Sequence, residues 1–245
     1  MQFTEKTALI TGAASGIGLA TAELIAQGGA SQLVLVDRNP RITRLKMACP
    51  ARPLVGDVSD ESFWDSADLG KIDHAVINAG IALTGPIESL SFADWRRVLA
   101  VNLDGAFLTI RASLRATRDG GSVVIVASVA GIKAEHGIAA YGASKAGVIQ
   151  LARVAAKEAA ARQIRVNVIA PGGVETPIWD QVPTFAERTK QIGRGAAFIE
   201  MAAMASPLKR FAKAEEIAGQ IAFLLSDASK TTTGTVLVSD GGYSL

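Results

Sequence analysis

Thr7-Ala8-Leu9-Ile10-Thr11-Gly12-Ala13-Ala14-Ser15-Gly16-Ile17-Gly18 is an apolar, β-branched run that passes directly into a glycine-spaced turn, and a helical pattern from Ala20 to Gln27 follows. Glycine serves geometry at such a turn. It admits positive φ, lets the backbone approach a pyrophosphate closely and packs helix tightly against strand. The spacing is Gly-x-x-x-Gly-x-Gly, which departs from the commoner Gly-x-Gly-x-x-Gly fingerprint. Its place between a strand and a helix nevertheless argues for a dinucleotide phosphate site over a merely flexible turn.

Working outward, further short β-branched runs at Leu33 to Asp37, Ala75 to Asn78, Ser122 to Ala127, Arg165 to Ile169 and Thr235 to Val238 alternate with helical stretches. Their apolar residues are consecutive, as in strands covered on both faces. The pattern predicts an α/β fold: a single doubly wound Rossmann-type domain over residues 1–245, with about seven parallel strands and helices on both faces. Ser91-x-x-Asp94 predicts a capped helix start before Trp95, Val98 and Leu99, and Ala214 to Leu225 and Ala143 to Arg162 read as further helices. Gly172 to Arg210 breaks the rhythm and carries Pro177, Pro183 and Pro207. We read 172–210 as a substrate-binding lid over the carboxyl ends of the strands, hinged at Gly193 and Gly195. In that reading Trp179, Phe185 and Phe198 gain order only when a ligand gives them a surface to bury against.

Composition narrows the function classes. The 245 residues are 49% hydrophobic and carry a formal net charge of +2, with no long Lys/Arg run, so neither nucleic acid nor an anionic membrane is called for. No apolar stretch approaches the roughly eighteen residues that span a bilayer. The opening Met-Gln-Phe-Thr-Glu-Lys lacks the pattern of a secretory leader, which makes a cytoplasmic location the expectation. One cysteine, Cys49, and two histidines without ligand spacing, His74 and His136, speak against a metal site.

Asp37 closes the second strand, where a carboxylate accepts hydrogen bonds from both adenosine ribose hydroxyls and repels a 2′-phosphate. NAD is therefore expected, and NADP is less favoured. Arg38 works the other way, although Ser15 in the turn adds no second positive charge. Further on, Tyr141 and Lys145 are four residues apart near the start of a helix, so both side chains share one face. A phenol titrates at roughly 10, and a fixed ammonium beside it is expected to lower that value and make it an acid or base near neutral pH.

Thr11-Gly12-x-x-x-Gly16-x-Gly18, Asp57-Val58, Asn78-Ala79-Gly80, Asn102, Ser128, Tyr141-x-x-x-Lys145 and Pro171-Gly172 followed by Thr176 occur in this order along the whole chain. The combination resembles the short-chain dehydrogenase/reductase family. The resemblance implies Tyr141 as catalytic acid/base, Ser128 as partner of the substrate oxygen, and Lys145 as modulator of the tyrosine and ligand of the nicotinamide ribose. It implies Asn102 as holder of a water linked to the lysine. It also implies a dinucleotide held by Gly12, Ser15, Gly16, Ile17, Gly18, Asp37, Asp57, Val58, Asn78, Ala79, Gly80, Tyr141, Lys145, Pro171, Gly172, Val174 and Thr176. Ile77 stands where the family commonly has another asparagine, and the stretch from Arg38 to Asp57 is short enough that its helix is expected to be clipped.

The activity so implied is hydride transfer between NAD and a secondary alcohol or ketone, in a homotetramer built on the helices after Ser91 and Tyr141. Reduction of 3-oxoacyl groups on a carrier is the alternative within the enzyme class. A dinucleotide-binding regulator, which would tolerate loss of Ser128, Tyr141 or Lys145, is the alternative outside it. Substrate contacts are expected from Ser128, Tyr141, His136 and Trp179, with Arg188, Lys190 and Arg194 compatible with an anion anchor in the lobe.

Overall fold

In a parallel strand neighbouring side chains point to opposite faces, so a strand sandwiched between helices is apolar at every position. β1 (Thr7–Thr11) shows this: Ala8 and Ile10 enter one core and Leu9 the other. The computed structural model describes residues 2–245. The remaining strands are β2 (Gln32–Asp37), β3 (Ala51–Val55), β4 (Ile72–Ile77), β5 (Thr117–Val126), β6 (Arg165–Pro171) and β7 (Val236–Ser239). They form one parallel sheet in the order β3-β2-β1-β4-β5-β6-β7. The chain reverses direction across the sheet between β1 and β4, and open α/β sheets bind ligands at the carboxyl ends of the strands at such a point.

Two helices, α1 (Gly16–Gln27) and, nearer the C-terminus, Ala214–Leu225, pack on one face through Ala22, Ile25, Ile217 and Ile221. The opposite face takes Trp64 of α2 (Glu61–Ser66), and Ala106, Leu108 and Ile110 of α4 (Gly105–Ala116), which follows α3 (Phe92–Leu99). It also takes Val148, Ile149 and Ala152 of α5 (Ala139–Ala159). Ser91 caps α3 as expected, its hydroxyl accepting from Asp94 N at 3.0 Å. Among the described residues no helix is long and apolar enough to cross a membrane.

Two stretches differ from their sequence reading, and the clipped helix expected between Arg38 and Asp57 is observed. The strand missing from the sequence list is β3, which carries Arg52 and Pro53 and is only partly buried. It lies at the sheet edge, where a proline without an N–H is tolerated and where an apolar run is not required. A single 3-10 turn, Pro40–Arg44, joins it to β2 in place of a full helix, capped by the Asn39 side chain. Residues 172–210 are not irregular: α6 (Pro183–Ile192) and α7 (Arg194–Ala205) form a small helical lobe. Its aromatics are already packed. Phe185 is fully buried, Phe198 lies 4.5 Å from it between ring centres, and Trp179 stacks on Phe211 at 5.4 Å. The expectation that these rings order only on ligand binding is therefore corrected, because they bury one another. The last helix, Ala214–Leu225, completes the series as α8 and has the predicted bounds.

Candidate active site

The glycine turn is fixed to β4 by side-chain hydrogen bonds. Thr11 Oγ1 accepts from Asn78 N at 3.0 Å and Ala79 N at 3.2 Å, while Asn78 Nδ2 donates to the Thr11 and Gly12 carbonyls. Gly18 has no alternative here: a Cβ on it would lie 2.2 Å from the Gly12 carbonyl oxygen. Gly12 itself has φ of +66°, strained for any other residue. Ser15 starts α1 without a side-chain cap, so the amides of the first turn remain available to an anion.

Asp37 Oδ2 accepts from Ala14 N and Oδ1 from Asn39 N, both at 2.9 Å. The carboxylate thus holds the turn and keeps lone pairs for hydroxyl donors. Asp57 is oriented by Ser59, from whose N and Oγ its Oδ1 accepts at 2.9 and 2.7 Å. Thr176 is buried, with Oγ1 donating to the Val174 carbonyl, and Trp179 Nε1 donates to the same carbonyl at 2.8 Å.

Ser128 follows β5. Its Oγ accepts from Ala130 N at 3.2 Å and points its proton toward the Pro171 carbonyl at 3.5 Å, and it lines the same cavity as the Tyr141 phenol. Burial pushes that phenol above its ordinary value, and the Ser128 contact only partly opposes the shift. The expected lowering by Lys145 is corrected on this point: loss of water sets the direction, and the contact that opposes it is Ser128, not the lysine. Lys145 is itself buried, donates to the Val126 carbonyl at 2.9 Å and is pushed down to about 8 by desolvation.

Asn102 lies in a single π turn, Ala100–Asp104, between α3 and α4. Such turns re-aim a side chain that a regular helix would point elsewhere. Its Oδ1 accepts from Ile81 N at 2.9 Å, and Nδ2 donates to the Ile81 carbonyl and Ser144 Oγ. Ser144 Oγ in turn donates to the Tyr141 carbonyl, so Asn102 braces the loop after β4 against the first turn of α5.

One cavity of about 610 Å³ gathers these parts. It is lined by Ser128, Tyr141 and Lys145, by Asp37, Asp57, Val58, Ile17 and the glycine turn, by Asn78-Ala79-Gly80, and by Pro171, Gly172, Val174 and Thr176. His136 and Trp179 line it as well, His136 from an exposed position. Gly18 and Asn102 stand behind its wall and act on it through backbone and neighbours.

The anion anchor is corrected: Arg188 pairs with Glu200, and Arg194 pairs with Asp180, donates to the Thr176 carbonyl and lies over Phe185 and Phe198. None of Arg188, Lys190 and Arg194 lines the cavity, and Lys190 is exposed. Glu135 and Ser206 line it from the segments 134–138 and 174–210 expected to face the substrate, while sequence reasoning missed Leu83, Thr84, Asp240 and Tyr243, which also line it. The signal for the last two was their place after β7, at the same carboxyl edge of the sheet.

The uncapped amides, the glycine cradle and a half-free carboxylate at the end of β2 fit an adenine dinucleotide. Comparison with known proteins agrees. A family model described as enoyl-(acyl carrier protein) reductase matches residues 12–244. The chain is 38% identical to cis-4-hydroxycyclohexanecarboxylate dehydrogenase of Sinomonas cyclohexanicum, over 98% of this chain and 97% of that one. It is also 38% identical to the 3-oxoacyl-acyl-carrier-protein reductase of Thermotoga maritima, over 99% of both. The crystal structure of levodione reductase superposes with a TM-score of 0.88 at 37% identity, covering 99% of each chain. The chain belongs to the short-chain dehydrogenase/reductase family. It is an oxidoreductase of that family and works with a nicotinamide dinucleotide.

Proposed function

We propose that the protein transfers hydride between NAD and a secondary alcohol or ketone, with Tyr141 moving the proton. The observation that carries this reading is one cavity with Ser128, Tyr141 and Lys145 after β5 and Asp37 after β2, separated by the switch point of the sheet. When bound, the nicotinamide accepts or supplies the hydride. In oxidation the Tyr141 oxygen takes the alcohol proton, and in reduction it returns that proton to the ketone oxygen. Ser128 Oγ donates to the same substrate oxygen and steadies its developing charge. Lys145, held by Val126, supplies positive charge beside the phenol and the ribose. Asn102 positions α5 through Ile81 and Ser144.

The other cofactor contacts follow the family pattern, with Asp57 and Val58 at the adenine and Thr176 at the carboxamide. Asp37 selects NAD because a 2′-phosphate would meet its carboxylate. The lobe of residues 172–210 serves as the lid, and the working form is a homotetramer.

The test is a panel of cyclic and acyclic secondary alcohols with NAD, followed by formation of the reduced nicotinamide. Turnover of several supports the reading, and none by a folded, NAD-binding protein rejects it. The similarity to the Thermotoga reductase favours a second reading, reduction of carrier-bound 3-oxoacyl groups. That reading predicts preference for NADPH and for an acyl-carrier substrate.

A further inference from the structure

Glu135 and Tyr243 have no part in the chemistry above, yet both line the cavity. The Tyr243 phenol faces the Glu135 carboxylate: this neighbour holds the carboxylate below its ordinary value, while burial first and the carboxylate second push the phenol up. Lys133 completes the cluster: its Nζ donates to the Tyr243 carbonyl at 2.8 Å, lies 3.4 Å from Glu135 Oε1 and sits 4.2 Å from the centre of the Tyr243 ring. The cluster fastens the C-terminal tail to the loop that leaves Ser128, at the rim of the substrate end. A second carboxylate, Asp240, lines the cavity from the same tail and accepts from Gly242 N and Ser244 N.

Cations are scarce around these carboxylates. Among the described lining residues the only lysine or arginine side chains are Arg38 and Lys145. Arg38 adjoins Asp37, on the far side of the switch point, and Lys145 is tied to Val126 beneath Tyr141. Lys133 does not line the cavity and is already shared between Glu135 and Tyr243. His136 is exposed at the rim beside Glu135, which is exposed as well, so water weakens the pull of either side chain on a substrate to a similar degree. A substrate carboxylate would give up its hydration and find Glu135 where it needs a partner.

We propose that Glu135, held by Tyr243 and Lys133, sets the charge of the substrate, so that the cavity takes neutral alcohols and ketones and discriminates against those bearing a carboxylate. This deepens the secondary-alcohol reading and rests on it. It also separates this chain from its Sinomonas relative, whose name specifies a carboxylate substrate.

The test measures binding to the NAD-bound protein by calorimetry with two unreactive ligands of nearly equal shape, cyclohexanecarboxamide and cyclohexanecarboxylate. Wild type is expected to bind the amide at least about tenfold tighter. Glu135→Gln keeps an acceptor for the Tyr243 phenol and releases Lys133, so it should shift the ratio toward the carboxylate by about tenfold. Lys133→Met leaves Glu135 uncompensated and should shift it about threefold the other way. NAD affinity, read separately, reports that each variant is folded. Equal or tighter binding of the carboxylate by wild type overturns the proposal. So does a ratio unmoved by both substitutions, or an amide that does not bind. If no secondary alcohol is turned over while the ratio shifts as stated, the reaction assigned above fails and the charge selection stands.

Discussion

The Lys145 ammonium lies 5.7 Å from the centre of the Tyr141 ring, one helical turn along α5 and fixed by the carbonyl of Val126. Both groups are enclosed, and enclosure raises the phenol and lowers the ammonium, each toward its neutral form. The free protein therefore holds Tyr141 as a phenol, the form that reduction of a ketone would use. Oxidation of an alcohol needs the phenolate instead, so its rate should rise with pH.

Cofactor choice should follow Asp37. Its two backbone hydrogen bonds mean that truncation would loosen the glycine turn, so Asp37→Asn is the cleaner change, removing the charge and keeping an acceptor. The variant should raise kcat/KM for NADP relative to NAD by about tenfold or more, with Arg38 free to meet the phosphate. A wild type that already prefers NADP would overturn the assignment.

His74, on β4, predicts a loss of stability in mild acid. Its Nδ1 lies 2.8 Å from Ser122 Oγ, which donates to the Leu225 carbonyl, so the Nδ1 tautomer carries the proton. Desolvation lowers the imidazole from 6.5 to about 4. The folded state thus binds fewer protons than the unfolded chain between these values. The contribution is fully present above 6.5 and is lost as pH falls toward about 4, a span worth about 3 kcal/mol. Denaturant titrations between these limits should show that loss in wild type and a much smaller one in His74→Asn, and equal slopes would remove His74 as the cause.

Much of this was legible in the sequence because buried parallel strands and glycine turns leave strong local signals. Thr7 to Gly18, Ser91 and Ala214 to Leu225 folded as they read. The edge strand holding Pro53 was not legible, since its partial burial at the sheet edge imposes no apolar run. Neither was the helical lobe, whose prolines at positions 177 and 183 start helical turns at their first residues instead of interrupting structure. In the cavity the nucleotide-side residues stood in motifs. Glu135 and Tyr243 meet only through folding across the sheet, and no spacing announces them.

The lobe of residues 172–210 should move as a packed unit. With Phe185, Phe198, Trp179 and Phe211 in mutual contact, amides within α6 and α7 should be protected without ligand. Those near Gly193, and in the connection around Thr176, should slow in exchange when NAD and a substrate analogue bind. Exchange that is identical with and without ligand throughout the lobe would make it a fixed wall.

Association should use the helical run that follows Ser91, α3 continued through the π turn into α4, together with α5. Phe107 and Val154 remain 45% and 43% exposed on these helices, an apolar surface suited to a symmetric interface. Light scattering at micromolar concentration should give about four times 25.4 kDa, and a species at 25.4 kDa would contradict the homotetramer.

The central claim, that Tyr141 moves the proton, is tested most directly by steady-state kinetics of Tyr141→Phe with NAD and the best secondary alcohol found for wild type. The ring still fills its place against Lys145 but has no proton to exchange. The account predicts NAD affinity close to wild type, a fall in kcat of roughly 10²–10⁴-fold, and loss of the rise in oxidation rate with pH. Turnover above about a tenth of wild type, with the pH dependence intact, would contradict it.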